Sequence, residues 1–115
     1  MTIKVIKVGE DILGANEEKA RVNKQQLDKN RVFTINIMSS PGAGKTSLIL
    51  NTINRLKDKI KIAVIEGDIA SSVDAEKVSK MGIPVVQINT AGGCHLDANM
   101  VESAFKNLPL EETDL

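Results

Sequence analysis

Ser39-Ser40-Pro41-Gly42-Ala43-Gly44-Lys45-Thr46-Ser47 follows directly on the apolar run Val32-Phe33-Thr34-Ile35-Asn36-Ile37-Met38. An apolar strand, a glycine turn and the opening of a helix, in that order, let consecutive backbone N–H groups curl around an anionic oxygen. The following helix adds its positive end. In this pattern Lys45 reaches the β- and γ-phosphates of a nucleotide and the Thr46 hydroxyl ligates Mg²⁺, with Gly42, Ala43, Gly44 and Ser47 completing the cradle. Ser39 stands where the strict G-x-x-x-x-G-K-S/T pattern has its first glycine. That glycine shapes the turn and supplies no charge, so a small serine weakens the match only slightly.

Beyond the loop, apolar runs and helix-spaced segments alternate. The strand Val32–Met38 is followed by a helix over about Gly44–Leu56, with Leu48, Ile49, Ile53 and Leu56 at helical spacing. A second strand is expected at Lys61–Ile65, a helix at Val73–Lys80 stopped by Met81-Gly82, and a third strand at Pro84–Ile88. A last helix covers about Asp97–Lys106, before Asn107-Leu108-Pro109 breaks it. Consecutive β-α-β units predict an α/β fold of the P-loop NTPase kind, a parallel sheet flanked by helices. Residues 31–115 are assigned to that domain and residues 1–30 to an amino-terminal arm and helix. The arm is expected to be extended from Ile3 and to end near Gly9. The helix, over Ala15–Asn30, has a narrow apolar stripe and reads as a solvated surface helix. Glu111–Leu115 looks like a connection into a further strand, and three strands make a thin sheet with an unprotected edge. A truncated domain is therefore expected.

Composition narrows the function. The chain has 115 residues with 15 basic against 15 acidic side chains, so no net field steers it toward nucleic acid or an anionic membrane. Aromatic residues are limited to Phe33 and Phe105, and a core of Ile, Val, Leu and Met suits a parallel sheet. The first seven residues lack the apolar core of a signal peptide, and no apolar run approaches a membrane span. One cysteine excludes an internal disulfide and fits a reducing compartment, so a cytoplasmic protein is expected.

Two further constellations carry chemistry. Glu66-Gly67-Asp68 lies at the carboxyl end of the second strand, where open α/β sheets bind ligands. Asp68 there suits Mg²⁺, opposite Thr46, in preference to capping the next helix, and Asp74 is a weaker candidate of the same kind. After the third strand, Thr90-Ala91-Gly92-Gly93-Cys94-His95-Leu96-Asp97 holds the only cysteine beside the only histidine. Thiolate and imidazole suit Ni²⁺ and Zn²⁺, but two ligands cannot close a four-coordinate site unless a twofold-related chain contributes two more. On spacing alone an adjacent Cys-His pair is more often incidental. A Cys94 nucleophile activated by His95 is less favoured still, with no third group to orient the pair.

Taken together, the phosphate loop, Val64-Ile65-Glu66-Gly67-Asp68-Ile69-Ala70-Ser71, Asp74-Ala75, Gly82–Thr90 and Cys94-His95-Leu96-Asp97-Ala98 resemble the nickel-incorporation GTPases of nickel-iron hydrogenase maturation, the HypB family. The urease-maturation GTPases, UreG, are related, but the Gly-Cys-His-Leu-Asp context is closer to the hydrogenase version. The resemblance implies a metal-insertion GTPase that binds GTP and Mg²⁺, with Lys45 and Asp68 as catalytic residues. It implies Cys94 and His95 as ligands to Ni²⁺ or Zn²⁺ at the interface of a GTP-bound homodimer. It also implies the nickel chaperone HypA and the hydrogenase large-subunit precursor as partners. The histidine-rich or cysteine-rich amino-terminal extension of some members is absent, so high-capacity nickel storage is not expected. Absent too are the family's next strand, with its acidic residue and further cysteine, and the Asn-Lys-x-Asp segment that selects guanine. Slow hydrolysis by this chain alone is therefore expected. Rival readings are a nickel- or zinc-binding interaction module without nucleotide turnover and a small phosphotransferase using ATP.

Overall fold

Val64-Ile65-Glu66-Gly67-Asp68 and Val85-Val86-Gln87-Ile88-Asn89 are short, β-branched runs that suit a sheet covered on both faces. In the computed structural model, which describes residues 8–38, 44–68, 73–89 and 96–115, they form strands β1 (Val64–Asp68) and β2 (Val85–Asn89). The two are parallel, in register from Val64 opposite Val85 to Asp68 opposite Asn89. The helices are α1 (Val8–Lys29), α2 (Lys45–Leu56), α3 (Val73–Ser79) and α4 (Ala98–Phe105), with a 3₁₀ turn at Leu110–Glu112. Helix α3 provides the β1-to-β2 crossover that a parallel pair requires. It stops at Met81-Gly82, whose N–H groups bond back to Val78 and Ser79 while Gly82 takes a φ of +79°. A left-handed residue at that point favours glycine.

The helical spacing of α2 turns Ile49, Leu50, Ile53 and Leu56 toward Ile62, Val64, Val78 and Val85. Ile53 and Val78 are fully buried there, each contributing about 2 kcal/mol of apolar burial. Successive strand residues face opposite sides, so the face of β1 shared by Val64 carries α2 and α3. Gly67 belongs to the other face and is touched by Leu96, at the entrance to α4. Helices α1 and α4 pack against each other, and α4 also meets β2. Lys19 pairs with Glu102 across that contact at 2.9 Å. The hydrogen bond from Lys19, aided by the charges of Lys19 and Lys106, outweighs burial and holds the Glu102 carboxyl below its ordinary range. A carboxyl depressed in the folded state stabilises at neutral pH, and that contribution fades as pH falls into the carboxylate range.

Several expectations require correction. The arm expected to end near Gly9 gives way to helix by Val8, so Gly9 lies within α1; residues 1–7 are outside the description. Helix α1 is not simply a solvated surface helix, because Asn23 is buried against α4. The second strand is displaced from Lys61–Ile65 to Val64–Asp68. The cause is a different partner for its first residues: Lys61 and Ala63 exchange backbone hydrogen bonds with Asp114 and Leu115.

The expected strand Val32–Met38 is not part of the β1–β2 sheet, since the Phe33 N–H donates to Asp114 O and no ladder forms along 34–38 among the described residues. Phe33, Ile35 and Met38 remain 57 to 72% exposed. Thr113–Leu115, reached through the expected connection, thus lie between residue 33 and residues 61–63. Beyond them the two sides part around a cleft of about 630 Å³ lined by such residues as Val32, Ile35, Ile37, Leu48, Ile65 and Leu115. The described sheet accordingly has two strands rather than three.

Candidate functional site

Helix α2 begins where the glycine turn ends. Gly44 takes φ +91° and ψ 14°, and its carbonyl accepts the first helical hydrogen bond, from the Leu48 N–H at 3.0 Å. The left-handed backbone explains glycine here: a methyl would meet no neighbouring atom, but an L side chain at this φ is strained by about 1–2 kcal/mol. Gly44 offers no side chain to cap the helix, and the first turn contains no acidic residue. A helix amino end carries N–H groups without intrahelical partners and positive potential, which suit an anion. Lys45 and Thr46 are the first two residues of α2, both half-buried, and Ser47 is exposed. These residues fit a bound phosphate with Mg²⁺. The remainder of the cradle, including Gly42 and Ala43, lies outside the described residues.

Connectivity places this helix start relative to the sheet. Helix α2 packs along the sheet, and residues 57–63 join its end to the amino end of β1. Its own amino terminus, about 18 Å away along the helix axis, therefore lies toward the carboxyl end of β1. Asp68 is the last residue of β1 there. Its register partner is Asn89, the last residue of β2 and the start of the segment that runs to Cys94 and His95. The sheet thus brings Asp68 next to one stem of the Cys-His segment. Cys94 and His95 themselves, and the side chains of Asp68 and Asp74, are outside the description. Among the described residues no three His, Cys, Asp or Glu side chains cluster as metal ligands.

The other stem begins at Leu96, immediately after His95. A Cβ at Gly67 would stand 2.7 Å from Leu96 Cδ2 and 2.8 Å from its Cγ, so the leucine occupies the space that a side chain would need. Asp97 then caps α4, its carboxylate accepting from the Met100 N–H at 2.8 Å. Next, the Ala98 N–H donates to Asn16 Oδ1 at 2.7 Å, and Asn23 Nδ2 donates to Ala98 O at 2.8 Å. Residues 15–30 carry few apolar points, and this polar grip is not among the contacts expected of them. Its one sequence signal is the seven-residue spacing of Asn16 and Asn23, which puts both on one helix face. Gly67→Ala is expected to destabilise the fold by about 1–3 kcal/mol through overpacking. In urea unfolding, adding Leu96→Ala should recover part of that loss, whereas strict additivity of the two changes would refute the contact.

A helix opened by a left-handed glycine and an aspartate at the carboxyl end of a parallel strand are the arrangement of a nucleotide-binding α/β protein. The family described as the CobW/HypB/UreG nucleotide-binding domain matches residues 33–115, and the chain belongs to that family. Hydrogenase maturation factors HypB are among its curated relatives. That of Rhizobium leguminosarum bv. viciae is 46% identical over 108 residues, 94% of this chain and 36% of the relative. The probable HypB of Methanocaldococcus jannaschii is 45% identical over 111 residues, covering 96% of this chain and 50% of the relative. Among solved structures, HypB from Helicobacter pylori in complex with nickel superposes with a TM-score of 0.77 at 39% identity, over 87% of this chain and 47% of that one. HypB from Archaeoglobus fulgidus gives 0.78 at 36% identity, over 89% and 49%. The chain therefore spans between about a third and a half of the length of these relatives.

Proposed function

We infer that this chain is the amino-terminal part of a GTPase that couples GTP binding and hydrolysis to nickel insertion during hydrogenase maturation. The observation that carries the reading is the likeness, at 39% identity over 87% of the chain, to a HypB solved with nickel. The phosphate-suited start of α2 supports it from the chain's own geometry. In this reading the turn before α2 and Lys45 bind the phosphates, while Thr46 and Asp68 hold Mg²⁺, which neutralises charge on the phosphate oxygens. Lys45 and Asp68 are the proposed catalytic pair. Ni²⁺ is cargo, received by Cys94 and His95 together with the same residues of a second copy, and Zn²⁺ competes for that donor set. GTP favours the homodimer and hydrolysis loosens it, releasing metal that HypA supplies and the hydrogenase large-subunit precursor accepts. A cytoplasmic setting suits this chemistry, and no described helix is long and apolar enough to cross a membrane.

A fluorescent-nucleotide titration of the chain with Mg²⁺ tests the reading. Binding of GTP in preference to ATP is expected, together with turnover far below that of the longer relatives, because hydrolysis also needs a positioned water. Preference for ATP would point instead to a phosphotransferase. Turnover equal to that of full-length relatives would contradict the assignment of further hydrolytic residues elsewhere.

A further inference from the structure

The Cys94–His95 segment leaves through three consecutive residues, and each is held by a different part of the molecule. Leu96 fills the space above Gly67 of β1, Asp97 caps α4, and both polar backbone atoms of Ala98 are taken by α1. The grip on Ala98 is chemically directional. Asn16 presents an acceptor to an N–H that the first turn of α4 leaves without a helical partner, and Asn23 presents a donor to the carbonyl. Asn23 is 5% exposed, and its Oδ1 is buried without a hydrogen-bond partner among the described residues. Burying a side-chain amide is costly unless it is hydrogen-bonded, and the carbonyl of Ala98 supplies the partner for its donor. One helical turn from each asparagine, Lys19 adds its ion pair with Glu102 and limits rotation of α1 over α4.

We propose that α1 is a positioning element for the metal-binding segment, with Asn16 and Asn23 as positioning residues that fix where the chain emerges from His95. This rests on the reading of Cys94 and His95 as metal ligands. Partners outside the ligand shell hold ligands in a productive orientation, and loss of such partners lowers metal affinity. Here the support comes from an element at the opposite end of the sequence. Because Leu96 rests on Gly67, next to Asp68, the same stem is anchored on one side by the proposed nucleotide-side strand and on the other by α1.

Ni²⁺ titrations of the whole chain test this, comparing wild type with Cys94→Ala, the pair Asn16→Ala/Asn23→Ala, and the single changes Asn16→Asp and Asn23→Asp. The double alanine variant is expected to bind Ni²⁺ about tenfold more weakly, with Mg²⁺-GTP affinity unchanged within about twofold. Asn16→Asp keeps the acceptor, beside a helix amino terminus that favours a negative charge, and should bind Ni²⁺ like wild type. Asn23→Asp replaces the donor by a carboxylate facing a carbonyl and should bind as weakly as the double variant. Should the double variant not fold, the two isosteric aspartate variants decide by themselves.

Wild-type Ni²⁺ affinity in the double variant would overturn the proposal. So would equal losses in the two aspartate variants, or a parallel loss of nucleotide affinity, since either would indicate a general structural role. Ni²⁺ binding that is indifferent to Cys94→Ala would overturn the underlying metal assignment, and the proposal with it. That failure is recognisable because it appears without any change in α1.

Discussion

Lys45→Ala is expected to weaken Mg²⁺-GTP binding by about a hundredfold while leaving the helical circular dichroism unchanged. Lys45 is the first residue of α2, half-buried beside a left-handed Gly44 at a helix start with no acidic residue in its first turn. A charge-assisted contact to phosphate is worth about 1.5–3 kcal/mol, and each 1.4 kcal/mol is tenfold in affinity. The folding cost should be small, since Lys45 lies at a helix end and the α2 side chains in the core are Ile49, Leu50, Ile53 and Leu56. Fluorescent-nucleotide titration measures the effect. Undiminished binding would mean that the anion is held by backbone alone or that the helix start is not the nucleotide site. Ni²⁺ binding unaffected by Lys45→Ala, with no nucleotide binding in wild type, would instead favour a metal module.

The second large effect is expected at Cys94. Cys94→Ala should lower Ni²⁺ affinity by at least about a hundredfold, the upper end of what even the loss of supporting partners costs a metal site. Protons compete with the metal for thiolate and imidazole, so wild-type affinity should rise with pH. The variant, with one competing donor fewer, should show a shallower rise. Competition against a chromophoric chelator at several pH values reads both quantities. An affinity that is flat with pH, or equal in variant and wild type, would remove Cys94 from the ligand set.

Much of the arrangement was legible in the order of residues. The helix start at Gly44-Lys45, the α2 face built by Ile49, Ile53 and Leu56 and the Met81-Gly82 stop each depend on neighbours within about one helical turn. Strand boundaries were less legible, because a strand is completed by its partner. Lys61–Ala63 read as the opening of β1, yet they bond to Asp114 and Leu115, and Val32–Met38 read as a strand although only Phe33 finds a backbone partner there. Family resemblance named Cys94 and His95, where spacing alone had favoured coincidence.

By itself, the sequence determined the order of helices and parallel strands from Lys45 onward and membership of the family, since both are written in local pattern and motif. Only the tertiary structure decided that Asp68 stands beside Asn89, that Leu96 rests on Gly67, and that α1 grips Ala98 through two asparagines. The physical reason is the range of the interactions. Propensity and periodicity act between residues a turn apart, whereas a hydrogen bond from Asn23 to Ala98 joins positions 75 residues apart and exists only once the helices that carry them have packed.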